Sequence, residues 1–154
     1  MASRDPVQTL RRTLTELGWE PEQRTDSIFY VDFGPPHMPV ADAIAAVAVD
    51  SRQFVLYINL GVAAPPSRRD EVARFITRAN WGLAIGNFEL DYEDGHTRFK
   101  SSVAFDGKEL SPEAIRNAIY WAMNAVETYA EALAEVIAGE KEPDQAIDEI
   151  ETVR

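Results

Sequence analysis

Four acids fall within six residues, Glu89, Asp91, Glu93 and Asp94, and such a cluster can hold a cation or trade protons. Calcium fails on spacing. A helix–loop–helix calcium loop with Gly95 at its sixth position needs an acid where Leu90 stands and a glutamate where Ser101 stands. Acid–base catalysis needs a concave, desolvated site that raises one carboxyl pKa, and nothing along this stretch supplies one. The alternating acids read as the solvent face of a hairpin, two of them offset by Arg98 and Lys100. The alternative is a small-ligand or nucleotide-dependent sensor or enzyme working through Glu89, Asp91 and Arg98.

Other catalytic templates are missing. The chain has no Gly-x-Ser-x-Gly, no Walker A loop, no Gly-x-Gly-x-x-Gly and no His-Glu-x-x-His. Its two histidines, His37 in a proline-rich loop and His96 beside a turn, have no partner at ligand spacing. With no cysteine there is no thiol nucleophile, zinc finger or iron–sulfur cluster. We expect no catalytic residue, no metal and no cofactor.

Arg68, Arg69, Arg74 and Arg78 make the one basic cluster. Asp70 and Glu71 alternate among them, so it reads as a solvated helix face with ion pairs one turn apart. A nucleic-acid patch brings net positive charge and interleaved aromatics, and this cluster has neither. Direct nucleic-acid binding is not expected.

A third cluster points to contact, not chemistry. Ala118, Ala125 and Ala132 recur every seven residues beside Trp121, a pattern that lets another element approach closely. Glu127, Glu131 and Glu135 follow at four-residue spacing, where like charges repel in a bare helix and a basic partner would relieve them. The first reading is a solvated outer face; the second is a docking face.

The chain that positions these groups has 154 residues, 45% of them hydrophobic and 27% charged. One domain of that length buries about two-thirds of its unfolded surface and needs no disulfide or metal. The formal net charge is −11, which repels a free phosphate backbone at long range. The charge is uneven: residues 1–24 are neutral, 25–110 carry −4 and 111–154 carry −7. The start, MASRDPVQ, has no apolar core of a secretory signal, and no apolar run approaches the roughly 20 residues of a membrane span. We expect a cytoplasmic protein with no membrane contact.

Helix and strand signals alternate clearly. Asp5-Pro6 starts a helix over Pro6–Leu17, with Leu10, Leu14 and Leu17 on one stripe. Ile28–Phe33, Ala43–Val49 and Gln53–Leu60 read as strands, and Ser67 with Asp70 opens a helix faced by Val72, Phe75, Ile76 and Ala79. Asp94-Gly95 is the preferred pair for a two-residue type I′ turn, which would set Leu90 opposite Phe99, Asp91 opposite Arg98 and Glu89 opposite Lys100. Ser111-Pro112-Glu113 opens a last helix from Pro112 to Ala138, with an apolar seam from Ile115 to Val136 and Gly139 as its stop. The order α-β-β-β-α-β-β-α makes an α+β fold: a five-stranded antiparallel sheet with its terminal helices on one face. Residues 1–138 form one domain. Residues 139–154 form an acidic tail, partly disordered or a short helix, with Ile147, Ile150 and Val153 at helical spacing.

The stretch from Asn80-Trp81-Gly82 through Asn87-Phe88-Glu89-Leu90-Asp91, the Asp94-Gly95 turn, Arg98-Phe99-Lys100 and Glu109-Leu110-Ser111-Pro112-Glu113 resembles the YbjN family. That family is bacterial and is associated with sensory transduction regulation. Its fold is similar to that of the type III secretion chaperones of the Tir-chaperone class. The resemblance covers Gln53–Ala138 by pattern and the rest by element order, and none of its motifs is catalytic. It implies a homodimeric, non-enzymatic, protein-binding or regulatory module. Together these features lead us to expect a second copy and an unknown protein segment as partners. Interface candidates are Phe54, Tyr57, Phe75, Ala118, Trp121, Ala125, Glu127 and Glu131. Strand Gln53–Leu60 is apolar on both faces, so one face meets the helices and the other needs a cover, for which the middle helix of a second copy is the candidate.

Overall fold

A computed structural model describes residues 4–32 and 39–152. His37, the Gly34-Pro35-Pro36 stop and Val153 lie outside the described residues. The elements run α1 (Pro6–Glu16), β1 (Glu22–Gln23), β2 (Ile28–Val31), β3 (Val40–Ala48), β4 (Gln53–Leu60), a 3₁₀ turn (Pro66–Arg68), α2 (Arg69–Trp81), β5 (Asn87–Leu90), β6 (Thr97–Ala104), α3 (Pro112–Ala138) and α4 (Pro143–Thr152). Six antiparallel strands form one open sheet in the order β1-β2-β3-β4-β6-β5, so the expected five strands become six. The added strand, β1, has two exposed residues and pairs Glu22 with Tyr30 and Gln23 with Phe29. Two residues are too few to show alternation.

Local chemistry explains the long elements. Asp5 caps α1 by accepting from the Val7 N–H, and Ser111 caps α3 by accepting from the Ala114 N–H. Gly139 closes α3 in the left-handed region at φ 75°. Ser67, expected to cap α2, falls inside the 3₁₀ turn, and α2 has no side-chain cap.

The helices pack on one face of the sheet. Phe54, Leu56, Ile58 and Leu60 of β4 point into that layer and are buried, together with Leu10 and Leu14 of α1 and Leu133 of α3. Tyr129 joins the layers, edge-on to Phe75 of α2 at 6.3 Å and to Phe88 of β5 at 5.9 Å. Aromatic pairs in this geometry contribute about 0.5–1.5 kcal/mol beyond their buried area.

The β5–β6 register differs from the expected one by two residues: Glu89 faces Arg98, Phe88 faces Phe99 and Leu90 faces Thr97. The connection is a longer loop in place of a type I′ turn. The Gly95 N–H donates to the Asp91 carbonyl, the Glu93 N–H to Asp91 Oδ1 and the His96 N–H to Asp94 Oδ1. The aspartates satisfy loop amides that a two-residue turn would leave to the ladder. A slip of two keeps every side chain on its face, so Phe88 and Phe99 still pack inward, 4.9 Å apart. On the edge strand, Asn80 Oδ1 accepts from the Phe88 N–H and its Nδ2 donates to the Phe88 carbonyl, standing in for a neighbouring strand.

The acidic segment after Gly139 forms α4, which buries Pro143, Ala146 and Ile147 against α2 and α3. No helix among the described residues is long and apolar enough to cross a membrane.

Candidate functional site

The two expected ion pairs, Asp91 with Arg98 and Glu89 with Lys100, collapse onto one acid, because the register places both cations on Glu89. Glu89 sits between Arg98 Nε and Lys100 Nζ, each at 2.8 Å, and Arg98 stacks its guanidinium 4.0 Å above the Tyr57 ring. Burial of the Glu89 carboxyl works against its charge, but hydrogen bonds from Lys100 and Arg98 outweigh it and hold the group below its ordinary pKa. A general acid needs the reverse shift. Tyr92 donates to Asp70 Oδ1 at 3.2 Å, and His96 Nε2 lies 3.1 Å from Asn59 Oδ1. Glu89, Asp91, His96 and Arg98 do line one shallow hollow, so the residues of the ligand alternative are brought together, around a carboxylate already neutralised twice. Among the described residues no three His, Cys, Asp or Glu side chains are grouped to hold a metal.

Arg68 of the 3₁₀ turn and Arg69, Arg74 and Arg78 of α2 reach partners well beyond Asp70 and Glu71, although Arg74 keeps 64% of its side chain exposed. Arg69 donates to the carbonyls of Ala64 and Tyr92, and Arg68 to those of Val136 and Lys141. Arg74 grips Asp144 of α4 through both carboxylate oxygens, at 2.9 and 2.8 Å, and Arg78 reaches Asp144 at 3.1 Å and Asp148 at 2.7 Å. Lys141 bridges Glu135 of α3 and Glu149 of α4, 2.9 Å from each. The chain's basic cluster is thus met by its own acidic tail.

These pairs give α4 an acid sensitivity. Hydrogen bonds from Arg74 and then Arg78 hold the Asp144 carboxyl below its usual range, and those from Lys141 and then Gln145 do the same for Glu149. Carboxyls that titrate lower in the folded state contribute fully above the unfolded value of about 4 and lose that contribution as pH falls below it. We expect α4 amides to lose hydrogen-exchange protection below about pH 4, ahead of those in β4. Simultaneous loss in both elements would contradict this.

Among the described residues, two apolar surfaces stand out beyond the core. The first is the face of the sheet opposite the helices. On it Tyr57 lies across from Ile44 and Lys100, Val55 across from Ala46 and Ser102, and β2 adds Ile28 and Tyr30. The Ile28, Tyr30, Ile44, Val55 and Tyr57 side chains are half-buried, and the cations nearest them, Arg98 stacked over Tyr57 and Lys100 across from it, are both paired with Glu89. Charged side chains rim it, Arg98 and Lys100 toward one edge and Glu22 and Arg24 toward the other.

The second surface surrounds Trp121. That side chain is 47% exposed, stands edge-on to Tyr120 at 5.2 Å, and lines a hollow with Leu83, Ile85, Asn124 and Ala125. Glu127 and Glu131 lie exposed farther along α3, and both line the groove between α3 and α4. Trp81, at the end of α2, is 93% exposed. The helical spacing of Val72, Phe75, Ile76 and Ala79 excludes position 81 from the core face, which is the signal that could have marked it.

The structure sorts the expected interface residues. Tyr57, Trp121, Glu127 and Glu131 reach the surface. Phe54 and Phe75 have no exposed area and belong to the core, because each lies on the buried face of its element, Phe54 in line with Leu56 and Ile58 and Phe75 with Val72, Ile76 and Ala79. Ala118 and Ala125 are nearly buried, Ala125 as floor of the Trp121 hollow.

Comparison with known proteins adds a family and a fold. A family model named YbjN, "Putative bacterial sensory transduction regulator", matches residues 6–135. No curated protein matches the chain. Among solved structures, the E. coli YbjN crystal structure, "a putative transcription regulator", superposes with a TM-score of 0.64 at 14% identity, covering 85% of this chain and 93% of that one. The HopA1–SchA chaperone–effector complex gives 0.55 at 11% identity, with 80% and 91% covered. An uncharacterized protein from Methanothermobacter thermautotrophicus gives 0.54 at 13% identity, with 88% and 99% covered.

Proposed function

The chain belongs to the YbjN family, and from that premise we propose that it is a non-catalytic, homodimeric regulatory module of the bacterial cytoplasm that holds a segment of a partner protein against an apolar surface. The observation that carries this reading is the pair of apolar surfaces left over once one side of the sheet has been filled by helices. A fold shared with a chaperone does not by itself transfer its function, so the proposal rests on those surfaces.

The open sheet face is assigned to a second copy. A two-fold interface sets the same patch against itself and cannot carry a strong single-sign charge at its centre. The patch around Val55 and Ile44 is uncharged, and beside Tyr57 the Glu89 carboxylate offsets Arg98 and Lys100, so no single sign dominates. The apolar face of α2 is spent in its own core, so an α2 from the second copy would offer Thr77 and Trp81, not Phe75. The Trp121 hollow is left for the partner segment: an aromatic wall and small floor to seat an apolar side chain, with Glu127 and Glu131 beyond it.

Tyr57→Asp tests the assignment, because it sets a charge in the centre of the proposed contact. Sedimentation equilibrium should show the variant shifted toward monomer while circular dichroism keeps the wild-type fold. A variant that self-associates like the wild type would remove the open face from the interface.

A further inference from the structure

The arginine face of α2 has a use that the dimer reading does not touch. We propose that it is a docking site for an acidic helical segment of a partner protein, and that α4 is the occupant it holds in cis. The carboxylates that Arg74 and Arg78 reach all lie on α4, at Asp144, Asp148 and Glu151. Their spacings of four and three set them on one side of a helix, facing two guanidinium groups themselves spaced one turn apart. Arg68 adds hydrogen bonds to the Val136 and Lys141 carbonyls at the point where the chain turns into the tail. In a chain of net charge −11 this is the one place where arginines concentrate, and it is met by acids from 66 to 73 residues away.

Three features make α4 displaceable. It has ten residues, fewer than an isolated helix needs to persist in water. It buries Pro143, Ala146 and Ile147 and rests Ile150 partly against the core, and its other holds are ion pairs at a screened surface. It hangs from α3 by the connection Gly139–Glu142, whose first residue takes a left-handed conformation. The family match ends at residue 135, so the arginine face lies inside the matched stretch and the strap outside it.

An occupant tethered this closely sees its site at an effective concentration in the millimolar range, so an outside segment competes only when it binds tightly or the strap is loosened. The chemistry that fits is that of α4 itself: acids at i, i+4 and i+7, and small or branched apolar residues on the adjoining face.

A fluorescein-labelled synthetic peptide with the sequence of residues 139–152 is the probe, read by fluorescence anisotropy against the full chain. Asp144→Asn/Asp148→Asn loosens the strap through charge, and Ile147→Ala loosens it through packing, so the test survives if either variant folds poorly. In both, hydrogen exchange should show α4 amides opening at least about tenfold faster than in the wild type with β4 unchanged, and the peptide should bind at least about tenfold more tightly. Adding Arg78→Ala to the charge variant should remove the gain, as should raising salt from about 50 to about 500 mM. The proposal is overturned if α4 stays as protected as in the wild type. It is also overturned if α4 opens without any gain in peptide binding, or if a scrambled peptide binds equally. Each readout is independent of whether the chain dimerises.

Discussion

Replacing Gly95 with valine should destabilise the chain by about 3 kcal/mol or more, through backbone strain of about 1–3 kcal/mol plus a steric clash. Gly95 has φ +80°, a region that a β-branched residue avoids. A Cβ built there would stand 1.9 Å from the Ala64 carbonyl oxygen and 2.9 Å from the Ala64 nitrogen. The Ala64 N–H donates to the Gly95 carbonyl at 2.8 Å, so the tip of the hairpin is docked on the chain entering α2. No side chain can move aside, because both obstacles are backbone. In urea, with a slope of about 2 kcal/mol/M, the midpoint should fall by about 1–2 M. An unchanged midpoint would contradict both the positive φ and the close approach.

Phe75→Ala should cost about 3–5 kcal/mol, the usual range for truncating a buried phenylalanine. Domains of this size are stable by roughly 5–15 kcal/mol, so the loss is a large fraction of the whole. Phe75 has no exposed area and meets Tyr129 edge-on, tying α2 to α3. Its position in the sequence equally suggested an interface residue, and the two roles separate cleanly. A core residue lowers the denaturation midpoint and leaves self-association of the folded fraction unchanged. An interface residue does the opposite, and that outcome would place Phe75 outside the core.

The elements legible in the sequence are those whose signals are local. Strand Gln53–Leu60 and helix Pro112–Ala138 have the bounds that alternation, caps and a terminal glycine mark out. The hairpin between Asn87 and Ala104 is where local chemistry misleads. Asp94-Gly95 favours a tight turn, but Asp91 and Asp94 use their side chains to cap loop amides, and the register moves by two. Facing was readable and register was not, because a shift of two leaves facing unchanged. Apolar pattern likewise marks Phe54, Tyr57 and Phe75 as buried somewhere without saying against which chain. Tyr57 lies on the open face and the other two lie inward, a choice fixed by where the helices land. The pairing of α2 with α4 joins residues about seventy positions apart, beyond what sequence spacing can show.

Self-association through the open sheet face is the centre of the proposed function, and sedimentation equilibrium of the wild-type chain at micromolar concentration tests it most directly. A species of about 34 kDa, twice the 17.2 kDa of one chain, is the expected result. A single species at 17.2 kDa would contradict the dimer and the role given to Tyr57 together.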